Sequence, residues 1–117
     1  MSEKKLDLEK SEGEMMVKEW LQSDPQIKPL TLRAIKKLPP KLKELSQAVE
    51  NNAVGKIEFK AHDLKGFALN FNFSEIYSIS KAINEEAKND DFSYKKITEL
   101  HEKLQSIIDL IPKKYLE

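Results

Sequence analysis

The sequence contains no cysteine, which excludes disulfide bonds, thiolate metal sites and cysteine nucleophiles. Glycine occurs only 3 times in 117 residues and 34% of the residues are charged, a composition typical of a helical domain and not of a β-sandwich or a disordered chain. All apolar runs are much shorter than the about 20 residues that a membrane helix needs. Residues 1–14 lack the apolar stretch of a secretory signal. We therefore expect one cytoplasmic domain.

The chain also lacks an excess of charge of either sign, with 20 basic and 20 acidic residues. Because nucleic-acid binding requires a basic surface, we expect no nucleic-acid partner, and we expect no membrane partner. The charge is unevenly distributed: residues 1–24 carry 4 basic and 7 acidic groups, whereas residues 25–65 carry 9 basic and 4 acidic groups. The basic central third is either a solvated lysine face or a docking surface for an acidic partner.

Motifs for independent enzyme chemistry are missing as well. There is no glycine-rich phosphate loop and no serine nucleophile elbow. The two histidines, His62 and His101, have no second histidine three or four residues away, so a metal site is not predicted. The sequence predicts a non-enzyme without a cofactor of its own.

Apolar residues at intervals of three and four predict four helices, over about 30–50, 53–71, 74–89 and 93–111. The predicted core positions are Ile35, Leu38, Leu42, Leu45, Val49, Ile57, Ala61, Leu64, Ala68, Phe71, Ile76, Ile79, Ile83, Ala87, Ile97, Leu100, Leu104, Ile107 and Ile111. Short connections then give an all-α, antiparallel up-down-up-down four-helix bundle over residues 25–117. Residues 1–24 form a tail that includes a candidate short helix at 14–21, with Met16, Trp20 and Leu21 on its apolar side.

Local signals refine the ends of these helices. Pro39 and Pro40 predict either one kinked helix or two coaxial pieces. Asn51-Asn52 is expected to end the first helix, since asparagine tolerates a left-handed conformation, and Asn52 is expected to cap the second helix. Ser74 is the expected cap of the third helix, and Pro112 stops the fourth.

His62 is predicted to point away from the core, because at 100° per residue the apolar positions of its helix centre on the opposite side. Lys65 and Gly66 lie one turn further on the same outer face. Glycine in a helix interior costs about 1 kcal/mol relative to alanine, so an exposed one indicates that something approaches the backbone there. A neutral imidazole is a nucleophile that accepts a phosphoryl group, and a lysine ammonium stabilises the phosphoryl oxygens.

The stretch Ala61-His62-Asp63-Leu64-Lys65-Gly66 resembles the signature of histidine-containing phosphotransfer (HPt) domains of two-component phosphorelays. The resemblance covers about residues 30–111. It implies a four-helix bundle in which His62 is phosphorylated, with Lys65 as its support. The implied partners are response-regulator receiver domains and a hybrid histidine kinase, and Mg²⁺ is expected only in the partner receiver. Phe67 and Leu69 are bulkier than is usual for the family, and Asn72 stands where glycine is common.

The resemblance also implies a polar residue near the phosphate from the following helix. Counting outward from the turn near residue 73 locates it at Asn84, flanked by Lys81 and Lys88, and predicts that Asn84 is exposed. His101 is predicted to be an ordinary surface histidine on a polar face.

Apolar residues on the outer face predict a docking site around His62. Phe59, Leu69 and Phe73 project within about 60° of it, provided that Phe73 continues the helix and does not fold into the core. Gly66, Lys81 and Lys88 belong to the same predicted surface.

Three interpretations remain open at this point. The first is a stand-alone, monomeric phosphorelay carrier, which the initial Met favours. The second is an HPt-like module that docks a receiver or kinase without carrying phosphate. The third is the phosphotransfer domain of a larger kinase.

Overall fold

The computed structural model describes residues 28–116, so the tail and the short helix predicted within residues 1–24 lie outside the described part. Four helices follow one another: α1 (Lys28–Glu50), α2 (Val54–Asn70), α3 (Ser74–Lys88) and α4 (Tyr94–Asp109). A single 3₁₀ turn, Lys113–Tyr115, follows α4, and no strand occurs within residues 28–116. The structure confirms the predicted all-α four-helix bundle.

The apolar positions predicted from the spacing form the core. Seventeen of the nineteen positions are buried, and Phe71 and Leu100 are half-buried against the same core. The core gains four further side chains that were not predicted: Ala34, Ala48, Phe73 and Ile108. Because each helix buries one stripe, the opposite stripes of α1 to α4 remain available for other contacts.

Helix α1 runs through Pro39 and Pro40 as one continuous helix. Proline in a helix interior costs about 3 kcal/mol or more. The side chains on either side, Leu38 and Leu42, are both buried, so packing against the core offsets this cost. Of the two alternatives at this position, the structure has a single helix.

Two similar turns connect α1 to α2 and α2 to α3. Asn52 and Asn72 adopt positive φ angles of 53° and 59°, and the next residues, Ala53 and Phe73, donate their backbone N–H to the carbonyls of Ala48 and Ala68. These are the bonds of a helix-ending Schellman turn.

The same turns make two predicted caps wrong. Ala53 and Phe73, not Asn52 and Ser74, occupy the N-cap positions of α2 and α3, and neither cap has a side-chain hydrogen bond. Asn52 ends α1 as predicted, but its left-handed backbone leaves the next residue to start α2.

The connection between α3 and α4 relies on side chains. Ser93 caps α4 by accepting a hydrogen bond from the backbone N–H of Lys96 at 3.2 Å. Glu86 accepts from the backbone N–H of Ser93 at 2.7 Å, and this bond holds the pKa of the Glu86 carboxyl below its ordinary value.

In the part of the chain that the structure describes, no helix is both long and apolar enough to cross a membrane.

Candidate functional site

His62 lies on the exposed face of α2, beside a recess between α2 and α3. The recess has a volume of about 370 Å³ and is lined by Gly55, Glu58, Phe59, His62, Asn84 and Lys88. The imidazole is exposed because the core positions of α2, Ala61 and Leu64, turn their side chains to the opposite side of the helix. A ring nitrogen of His62 is therefore accessible to a partner molecule.

Asn84 lines this recess but is buried, which corrects the prediction that it is exposed. Its side-chain Nδ2 donates a hydrogen bond to the backbone carbonyl of Glu58 at 2.8 Å. In an α-helix that carbonyl also accepts the backbone N–H four residues later, which is that of His62. Asn84 thus ties α3 to the turn of α2 from which His62 projects.

The three lysines predicted around the site take different positions. Lys88 lines the recess together with His62, Lys65 is half-buried one turn beyond His62, and Lys81 is exposed on α3 without lining the recess. Glu58 also lines the recess; the sequence placed it beside His62 on the outer face but assigned it no role. It lies four residues before His62, one helical turn away on the same face.

Gly66 has no packing role within the described structure. A Cβ atom built on Gly66 would meet nothing within 4 Å, and the same holds for Gly55 at the recess. Neither residue has a positive φ angle, so the backbone does not require glycine. The absent side chains therefore leave open space on the outer face of α2.

Phe59 and Leu69 form the exposed apolar part of the site, with 67% and 61% of their surfaces accessible. The third predicted member, Phe73, is completely buried, and its assignment to the docking surface was wrong. Helix α2 ends at Asn70, and the left-handed Asn72 turns the chain inward, so Phe73 packs with Phe67 and Phe71 beneath the turn.

A regular stripe on α2 combines these features. Gly55, Phe59, His62, Gly66 and Leu69 follow one another at intervals of four, three, four and three. This is the spacing of a helix face that packs against another helix. We call these five residues the outer stripe. Sequence reasoning identified all of them except Gly55, which the same spacing could have revealed.

Two ion pairs join α1 to the flank of α2. Lys41 pairs with Asp63 of the motif at 3.0 Å, and Lys60 pairs with Glu44 at 3.0 Å. Part of the positive charge of residues 25–65 is therefore neutralised between the two helices, and Asp63 points toward α1 and not toward the recess.

His101 is not the plain surface histidine that was predicted. It is half-buried between α4 and α1, with Nε2 lying 2.6 Å from Oγ of Ser46. Burial lowers its pKa below the ordinary value, while the carboxylates of Glu102 and Glu50 act in the opposite direction. The interval of four from Ile97 and three to Leu104 places His101 at the edge of the core face of α4, so its position between core residues, interpreted as a surface position, indicated partial burial.

Within residues 28–116, no group of three or more His, Cys, Asp or Glu side chains could hold a metal ion. Comparison of the chain with known family models, curated proteins and solved structures finds no match.

Proposed function

We propose that this chain is a phosphorelay carrier that accepts a phosphoryl group on His62 and passes it to a receiver domain. The observation that carries the proposal is the exposed imidazole of His62 on the outer stripe, beside a recess that also contains Lys88. The resemblance of residues 61–66 to the HPt signature supplies the reaction class.

The proposed chemistry balances as two substitutions at phosphorus. A ring nitrogen of His62 attacks the phosphorus of a receiver aspartyl phosphate, the P–O bond to that aspartate breaks, and its carboxylate leaves. In the second step, another receiver carboxylate attacks phospho-His62 and the P–N bond breaks. The receivers supply Mg²⁺, and this chain supplies the nucleophile and the ammonium groups of Lys65 and Lys88.

The outer stripe is the proposed receiver-docking surface. Phe59 and Leu69 provide exposed apolar area, and Gly55 and Gly66 allow a partner to approach the helix backbone between them. Phe59 and Leu69 lie ten residues apart on one helix face, and large exposed apolar side chains on such a face favour an interaction surface. A receiver that contacts both Phe59 and Leu69 covers the helix face on either side of His62. A receiver of a hybrid histidine kinase is the proposed donor.

A second candidate function is docking without phosphate transfer. The exposure of Phe59 and Leu69 favours it, because an apolar surface of this kind binds a partner whether or not His62 reacts. Phosphate transfer requires the imidazole of His62 and the ammonium group of Lys65, whereas docking alone does not require either group.

The test is to incubate the protein with each phosphorylated kinase receiver of its source cell and to measure both binding and transfer. For a carrier, His62→Gln abolishes transfer and leaves receiver binding intact, and Lys65→Ala slows transfer without unfolding the protein. Phe59→Ala and Leu69→Ala weaken binding by about tenfold each, equivalent to about 1.4 kcal/mol. Binding to a receiver without any transfer by the parent protein would favour the docking module, and unchanged binding of both apolar variants would place the docking surface elsewhere.

A further inference from the structure

The outer stripe alternates large apolar side chains with glycines. Phe59 and Leu69 expose 67% and 61% of their surfaces, whereas a Cβ atom added at Gly55 or Gly66 would meet nothing within 4 Å. Along α2 the order is glycine, phenylalanine, His62, glycine and leucine. On each side of His62 the stripe therefore has one projecting side chain and one hollow.

This order is self-complementary. When a second copy of α2 packs antiparallel to the first, about a two-fold axis beside His62, Phe59 faces Gly66 of the second copy and Leu69 faces its Gly55. At 1.5 Å per residue, the members of each facing pair lie within about 1 Å of the same height along the helix axis. The two-fold axis repeats both contacts, so four projecting side chains fill four hollows. Side chains of this size opposite glycines let two helices pack closely.

Two charges at the edge of the stripe have the same symmetry. Glu58 and Lys65 lie seven residues apart, which is two helical turns, so both are on the side of α2 that faces α3. Neither of them forms an ion pair with another described residue. A two-fold axis between antiparallel helices brings equal edges together. Glu58 of each copy therefore lies near Lys65 of the other, and two ion pairs can form across the interface.

The remaining charges near the stripe limit the strength of this association. Lys60 and Asp63 are already paired with residues of α1. The exposed charges without an ion pair to a described residue are Lys56, Lys81, Glu85 and Lys88. Because three of them are basic, like charges oppose each other in the dimer. One helix face on each copy is also smaller than a standard interface of about 1,600 Å², so the dimer is weak and the chain is a monomer at low concentration.

We propose that two copies of this chain associate reversibly through their outer stripes, antiparallel, with both His62 side chains at the two-fold axis. The association needs no phosphate and no receiver. One consequence rests on the proposed function: the dimer covers His62 and the docking surface, so dimer formation and transfer from a receiver exclude each other.

Sedimentation equilibrium of the full-length protein without any receiver, over about 10 µM to 1 mM, measures the association. We expect a reversible shift from one chain to two as the concentration rises. Gly66→Leu should abolish the dimer, because the new side chain fills the hollow that receives Phe59, while the open position lets the monomer fold. The matched control, Lys95→Leu, adds the same side chain at an exposed position of α4 and should dimerise like the parent.

Two exchanges test which residues face each other. Phe59→Gly should weaken the dimer, and adding Gly66→Phe to it should restore association, because residue 59 of each copy faces residue 66 of the other. Glu58→Lys and Lys65→Glu should each weaken the dimer, and the two substitutions together should restore it. Circular dichroism checks that each variant is folded.

Three results would overturn the proposal. A parent protein that stays monomeric up to about 1 mM would exclude the dimer, and it would leave phosphate transfer to His62 unaffected because no receiver is present. Dimerisation of Gly66→Leu at the parental strength would show that the interface does not use the outer stripe. A parental dimer that neither exchange restores would exclude the antiparallel pairing.

Discussion

Residues around His62 divide into those that stabilise the fold through their side chains and those that do not. Asn84 is buried and bonded to the carbonyl of Glu58, so it supports the fold. A Cβ atom at Gly66 would contact nothing, so glycine at this position contributes nothing to the packing of the described residues. Substitutions at these two residues should therefore have opposite effects on stability.

Gly66→Ala should stabilise the protein by about 0.5–1 kcal/mol, because alanine loses less backbone entropy in a helix and the new methyl group meets open space. The same methyl group lies on the outer stripe and should slow transfer from a phosphorylated receiver. Urea unfolding and transfer rates measured on one preparation check both effects. A variant that is more stable and transfers at the parental rate would show that no partner approaches the backbone at Gly66.

Asn84→Ala should destabilise the protein by about 1–3 kcal/mol, because it removes a buried hydrogen bond and leaves a cavity. The matched control is Ser80→Ala on the same helix. Ser80 is equally buried, but its Oγ has no hydrogen-bond partner among the described residues. We expect the free energy of unfolding of Ser80→Ala to equal or exceed that of the parent. Equal losses in the two variants would contradict the role given to the Asn84 amide.

Between the helices, Ser46 and His101 form a polar contact that joins α1 to α4. The Ser46 hydroxyl donates to the Leu42 carbonyl, so its oxygen accepts from the Nε2–H of His101. Tyr94 adds a second link by donating its hydroxyl to the carbonyl of Val49. This side of the bundle thus contains a half-buried imidazole whose charged form burial disfavours, which lowers its pKa.

The free energy of unfolding should decrease as the pH falls below about 6.5, the ordinary pKa of His101. The folded-state pKa is lower, so between the two values the unfolded chain binds more protons and stability rises with pH. His101→Gln should flatten this dependence, whereas His62→Gln should leave the His101 contribution in place. Denaturant unfolding at a series of pH values measures the slopes, and an unchanged slope in His101→Gln would contradict this account.

The spacing of apolar residues predicted each helix, but it did not determine how neighbouring helices align. Asn84 contacts Glu58, one turn before the residue expected from counting outward from the turn. That alignment depends on the two Asn turns and on side-chain packing, which the pattern of one helix does not contain. The pattern of a single helix was sufficient to identify His62 as exposed. It was not sufficient for Phe73, which lies at the end of a helix, or for His101, which lies at the edge of a core face.

Within residues 28–116 the molecule is a four-helix bundle, and depressions lie between α2 and α3 and between α1, α4 and the C-terminal turn. The α2–α3 recess contains His62 and is the place of the proposed transfer chemistry.

The phosphate content of the protein after incubation with a phosphorylated receiver tests the central claim most directly. The account predicts one acid-labile, base-stable phosphate per chain in the parent and in His101→Gln, and none in His62→Gln, as measured by ³¹P NMR on folded proteins. Undiminished phosphate in His62→Gln, or its loss in His101→Gln alone, would contradict the assignment of His62 as the phosphorylated residue.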